Sequence, residues 1–174
     1  KVYEGYAEIL VDDEFIERFY EGEDMFLEES LIKQRLYPHQ FLLLISSSNP
    51  KKSAICRFSE FKRPLKRINV KDYSKSWGVV PRNKEQTFAY DLLFDDDIPL
   101  VSLIGKAGSG KTLMAIAAGL EQTLGFAERK YKKIVVSRPV QPMGKDIGFL
   151  PGTMEEKMGP WLMPIQDNLE FILG

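Results

Sequence analysis

The chain has 174 residues, 44% of them hydrophobic and 28% charged, and a net charge of −1. That is room for one medium domain or two small ones around a packed core, and no apolar run reaches the roughly 18 residues of a membrane helix. One cysteine, Cys56, and one histidine, His39, exclude an intrachain disulfide and the usual zinc site; with no signal peptide at the start, the expected compartment is the cytoplasm and no membrane partner is expected.

Residues 1–11 alternate loosely, with Tyr6, Ile9, Leu10 and Val11 among the apolar positions, and predict a strand. Asp12 or Asp13 then caps a short helix through Tyr20 that carries Phe15, Ile16 and Phe19 on one face. His39 follows Tyr37-Pro38 and reads as a turn residue. Gln40 to Ser46 predicts a buried strand, Ser47 to Pro50 a turn, and Ser53 to Phe58 a returning strand with Cys56 as a small buried residue. Pro64 to Ile68 predicts one more strand, so residues 1–76 read as a small β-rich accessory module with hairpins. Its charges are split. Residues 1–30 hold eleven acids against Lys1 and Arg18, and residues 51–75 hold nine bases against Glu60 and Asp72. This split fits a nucleic-acid-facing surface, or two solvated faces that attract one another.

A connector over 69–81 leads to residues of different character. Asn83 predicts a helix start with Gln86 as its capping-box partner; Phe88, Leu92 and Leu93 form the apolar stripe, and the helix stops near Asp95-Asp96-Asp97. Pro99 to Ile104 predicts a short strand, Lys111 to Leu124 a buried helix, Lys133 to Ser137 the next strand, and Trp161 to Leu173 a last helix. Strand, helix, strand is the unit of a parallel sheet, so residues 77–174 predict the N-terminal part of an α/β P-loop domain with a partial parallel sheet.

The chemistry lies in Gly105-Lys106-Ala107-Gly108-Ser109-Gly110-Lys111-Thr112, which fits the phosphate-loop pattern at every position. Glycines let backbone N–H groups turn inward around phosphate oxygens, and the helix end at Lys111 adds its positive dipole. Lys111 is positioned to bridge β- and γ-phosphates, and the Thr112 hydroxyl to ligate Mg²⁺, so ATP or GTP with Mg²⁺ is the expected ligand. Hydrolysis also needs an acid on a later strand. Leu92 to Asp96 is the tempting candidate, but it precedes the loop and reads better as a helix end. After Ser137 no apolar strand ends in Asp or Glu, so the chain reads as a piece of a longer ATPase domain.

With Pro81-Arg82-Asn83-Lys84-Glu85-Gln86, the phosphate loop, Ser137-Arg138-Pro139, Gly148-Phe149-Leu150-Pro151-Gly152 and Glu156-Lys157 in view, residues 77–174 resemble the PhoH family of P-loop proteins. The front module, with Leu36-Tyr37-Pro38-His39-Gln40-Phe41 and Trp77-Gly78, is similar to the linker module of longer PhoH proteins, which carry a PIN-type ribonuclease domain ahead of it. The resemblance implies a helicase-like ATPase that acts on single-stranded RNA and assembles as a homo-oligomeric ring. It implies that Gln86 reads the adenine with Asn83 nearby, against the plain alternative of a capping box. It places Arg138 near a nucleic-acid path or a neighbouring subunit, against a surface salt bridge, and makes Lys145 and Lys157 phosphate-backbone candidates. Trp161 is expected in a core or interface. Two functions stand open at this point: an RNA-dependent ATPase or helicase, and a nucleotide-dependent switch or phosphotransferase without nucleic acid.

Overall fold

The computed structural model describes residues 5–68, 77–125, 129–137 and 153–174, without the side chains of 154–158, 160 and 161. The chain divides into two compact units, Lys1–Asn69 and Val70–Gly174.

The first unit holds a four-stranded sheet in the order β1-β2-β3-β4: β1 (Tyr6–Val11), β2 (Phe41–Ser46), β3 (Ser53–Arg57) and β4 (Lys66–Arg67). β2–β3 is the expected hairpin. β1 and β2 instead run parallel, with Tyr6 opposite Phe41 and Val11 opposite Ser46. A parallel pair needs a crossover, here helix α1 (Asp13–Glu21) and the segment after it. Alternation told which strand face is buried but not which way the neighbour runs.

α1 lays Ile16 and Phe19 on the sheet among Leu42, Leu44 and Cys56. Ile16, Leu42 and Leu44 are wholly buried, each stabilising the unit by about 1.5–3 kcal/mol. Asp12 occupies the cap position without a side-chain bond. The Asp13 carboxylate instead accepts from the Ser46 and Ser48 hydroxyls at the end of β2, the latter at 2.6 Å. At the other end Gly22 is left-handed, and the Glu23 N–H donates to the Arg18 carbonyl at 3.1 Å, closing the helix. Burial pushes the Cys56 thiol up to about 12, so it stays protonated and inert. His39 sits in a turn with φ 64°, its N–H donating to the Phe58 carbonyl at 2.9 Å.

The charge split is partly satisfied inside this unit. Lys52 Nζ lies 2.6 Å from Glu17 and 3.6 Å from Asp13. Arg67 donates to the Phe19 carbonyl at 3.0 Å and to the Glu23 carbonyl, and its guanidinium lies 4.6 Å from the Phe19 ring centroid. Two bases of the basic segment are thus held by the acidic one.

The second unit is built on helices α2 (Lys84–Leu93), α3 (Lys111–Leu124) and α4 (Met154–Leu173). Val79, Tyr90, Met114, Ala117 and Ala118 form its core, with Ile172 of α4 packed against them. Tyr90, outside the expected stripe, is wholly buried, whereas Leu92 and Leu93 are half-buried. The Tyr90 hydroxyl donates to the Val79 carbonyl at 3.0 Å and burial pushes it up to about 12, so it remains a neutral donor. This bond ties the segment before α2 onto the helix. Asp95 to Asp97 form the expected acidic turn, in which Asp96 pairs with Lys130 at 2.7 Å.

The runs 99–104 and 133–137 carry no strand ladder among the described residues, contrary to the sequence expectation. A strand exists only when a neighbour takes its N–H and C=O groups, and Leu100, Ile104 and Val135 stand 81%, 96% and 76% exposed. Ile134 does pack on α3: a Cβ at Gly119 would lie 3.1 Å from its Cδ1, so a larger residue there would make the Ile134 side chain shift by a few tenths of an ångström. α4 begins at Met154, seven residues before the expected start, and runs through Pro160 and Pro164. Proline lacks the N–H that an interior helix position donates, which is why the pattern pointed to a later start. The chain as a whole is mixed α/β.

Candidate nucleotide-binding site

α3 begins abruptly because Gly110 caps it in a left-handed conformation, φ 82°, two residues after Gly108 at 78°. An L-residue in either place would be strained by about 1–2 kcal/mol. The first helical bond runs from the Met114 N–H to the Gly110 carbonyl at 2.9 Å. The amides of Lys111, Thr112 and Leu113 therefore point out of the helix end, where an anion is favoured.

Lys111 folds back over its own loop. Its Nζ donates to the carbonyls of Gly105 at 2.8 Å and Lys106 at 2.6 Å, and to Ser109 Oγ at 3.1 Å. Ser109 Oγ in turn donates to the Lys106 carbonyl at 2.9 Å. Three neutral acceptors hold one cation, and a phosphate is the stronger partner because its bond to the ammonium is charge-assisted on both sides.

Asn83 caps α2, its Oδ1 accepting from the Gln86 N–H at 2.9 Å. Gln86 does not return the favour as a capping box would. Its Oε1 accepts from the Arg82 N–H at 2.7 Å and its Nε2 donates to the Ser109 carbonyl of the loop at 3.2 Å. The amide is thus fixed by backbone on both sides, and one lone pair and one N–H of it remain for a ligand. A Cβ at Gly110 would come 3.1 Å from Nε2, so glycine at that position also makes room for Gln86.

Three grooves meet at this loop. One of about 350 Å³ joins Asn83, Gln86, Gly105 and Lys111. A second of about 450 Å³ runs between Val79–Arg82, Gln86, Gly108, Gly110 and Phe171. A third of about 380 Å³ holds Ala107, Lys111, Thr112 and Asn168. Lys106, Ala107 and Thr112 are exposed, with Thr112 in the first turn of α3. The elements thus bring the loop, Gln86 and Asn83 together. Arg138, Lys145 and the Gly148–Gly152 element lie outside the described residues, as do the side chains of Lys157 and Trp161. The sequence reading missed Arg82, Asn168 and Phe171. The first acts through its backbone N–H, which side-chain identity does not announce, and the other two depend on where α4 docks. Among the described residues no group of three or more His, Cys, Asp or Glu side chains gathers to hold a metal ion, and no helix is long and apolar enough to cross a membrane.

A family model described as "PhoH-like protein" matches residues 78–174. The chain is 45% identical over 176 aligned residues to the Bacillus subtilis (strain 168) protein called "Protein PhoH2", covering 100% of this chain and 38% of that protein. It is 36% identical to the "Protein PhoH2" of Thermobispora bispora, covering 95% of this chain and 36% of that one. With the "Protein PhoH2" of Mycolicibacterium smegmatis it shares 47% identity over 95 residues, 54% of this chain and 21% of the other. The chain thus spans well under half the length of these curated relatives. No solved structure matches it.

Proposed function

The chain belongs to the PhoH-like protein family, a P-loop type that generally binds ATP, and from that premise we propose that it is part of an RNA-dependent ATPase of the helicase kind. The observation that carries the ATP part of this reading is the Gln86 amide, held between the Arg82 N–H and the Ser109 carbonyl of the phosphate loop; the RNA part rests on the family resemblance. Its remaining lone pair accepts from the adenine amine and its remaining N–H donates to a ring nitrogen. Guanine presents a carbonyl oxygen where adenine has the amine, so the same amide disfavours GTP.

On binding, Lys111 leaves the Gly105 and Lys106 carbonyls for the β- and γ-phosphates, and the amides at the start of α3 hold the phosphate oxygens. Thr112 would hold Mg²⁺, since it is an exposed hydroxyl in the first turn, beside Lys111. A bound Mg²⁺ would supply positive charge against the negative charge that builds up in phosphoryl transfer. In this reading the acid that positions water lies outside the residues gathered at the loop, and Arg138 and Lys145 contact single-stranded RNA. In this reading the assembly is a homo-oligomeric ring in the cytoplasm, and the whole protein carries a PIN-type ribonuclease domain, as do the longer PhoH proteins whose linker module residues 1–76 resemble. The sequence of the intact gene product and its mass in solution test those last two points.

One observation favours the second reading, a nucleotide-dependent switch or phosphotransferase without nucleic acid: Lys52 and Arg67 of the basic segment are occupied inside their own unit. The two readings part on one experiment. Phosphate release from ATP by the full-length protein is measured with and without single-stranded RNA, beside Lys111→Ala. RNA-stimulated turnover that falls at least about 100-fold in the variant supports the RNA-dependent ATPase. Turnover indifferent to RNA favours the switch, and near-normal turnover of the variant refutes the phosphate-loop assignment.

A further inference from the structure

α4 reaches the nucleotide site at two points. Ile172 anchors the helix on the core of the second unit. Asn168 lies four residues before it and so shares its helix face, and Phe171 lies three residues after Asn168, a spacing that makes those two side chains neighbours. Asn168 lines the groove with Lys111 and Thr112, at the phosphate end. Phe171 lines the groove that runs from Val79–Arg82 past Gln86 to Gly108 and Gly110. Its ring is 71% exposed, so it contributes little to the core. A large apolar side chain left in water beside a groove with one fixed amide has the chemistry of a wall for a flat heteroaromatic ring: an apolar face, with a hydrogen-bonding edge supplied by Gln86.

We propose that the last turns of α4 form a wall of the nucleotide site, in which Phe171 stacks on the base and Asn168 stands beside the phosphates. This rests on the ATP-site reading above and adds the residues that would grip the base face rather than its edge. The Asn168 Nδ2 donates to the Pro164 carbonyl, and its amide oxygen is the acceptor it can offer a water or a ribose hydroxyl in the groove it lines.

The test is equilibrium binding to the full-length protein of three probes with Mg²⁺: ATP, GTP and inorganic triphosphate, the last carrying no base. Phe171→Ala is expected to weaken ATP about tenfold, as loss of a base–aromatic stack does, and to leave triphosphate unchanged. Phe171→Trp is expected to restore ATP binding. Asn168→Asp sets a negative charge beside the phosphates and is expected to weaken ATP and triphosphate alike. ATP binding unchanged in Phe171→Ala, or ATP and triphosphate weakened equally, overturns the wall, provided that Lys111→Ala still abolishes binding of ATP and triphosphate. ATP binding that Lys111→Ala leaves intact overturns the ATP site itself, and the wall with it.

Discussion

At the scale of single residues, Gln86 does the most with the fewest atoms. One amide accepts from Arg82, donates to the phosphate loop at Ser109, and keeps one donor and one acceptor for a base. Gln86→Ala removes those last two groups and releases the Ser109 carbonyl. Two neutral hydrogen bonds at about 0.5–1.5 kcal/mol each correspond to a loss of about tenfold or somewhat more in ATP affinity, with GTP hardly affected. The ratio of ATP to GTP affinity should therefore fall toward one, as read by competition with a fluorescent nucleotide. An unchanged ratio removes the base-reading role and leaves Gln86 a latch on the loop. The phosphate loop was legible in the sequence because its chemistry admits few residues: glycine at φ 82°, lysine within reach of phosphate, a hydroxyl in the next position. That Gln86 would bind Arg82 and Ser109 rather than close a capping box was not legible. Both partners are backbone groups, and backbone groups look alike in every sequence.

At the scale of elements, α1 and α3 were readable to within a residue or so and α2 at its start, its end falling two or more residues before the expected Asp95–Asp97, because caps and apolar spacing both act within a few residues of chain. What escaped was pairing over distance: the parallel β1–β2 pair, the missing ladder at 99–104 and 133–137, and the docking of α4. The joint between α1 and β2 is one such distant pairing and has a pH signature. The Ser46 hydroxyl first, then Ser48 and Lys52, hold the Asp13 carboxyl below its ordinary value against a smaller opposing effect of desolvation. A carboxylate with a lowered folded value stabilises the fold fully above the unfolded value of about 3.9, and the contribution disappears as pH falls through the folded value. Asp13→Asn lacks that titration. The stability difference between wild type and Asp13→Asn should be largest near neutral pH and shrink as pH drops below about 4, in urea denaturation followed by circular dichroism. A difference that stays constant down to about pH 2 would show that the hydroxyls, not the charge, make the joint.

At the scale of the whole molecule, the question is what the basic segment serves. Two of its members are already committed, Lys52 to Glu17 and Asp13, and Arg67 to α1. Arg63 pairs with Glu60 at 2.7 Å, an exposed ion pair of small consequence. Replacing Lys62, Arg63, Lys66 and Arg67 together would thus confound RNA binding with folding, since Arg67 also stacks on Phe19. Lys51 and Lys62 are both exposed and are the cleaner probes. If the first unit contacts RNA in the intact protein, each lysine that neutralises a phosphate releases a counterion. Lys51→Ala with Lys62→Ala should then weaken single-stranded RNA binding and flatten the dependence of log affinity on log salt by roughly 0.7 per lost contact. The fold should be untouched, because neither side chain is buried. An RNA affinity and salt slope equal to wild type would mean that the split is satisfied within the unit, acid against base, and that any RNA contact is made by the P-loop unit alone.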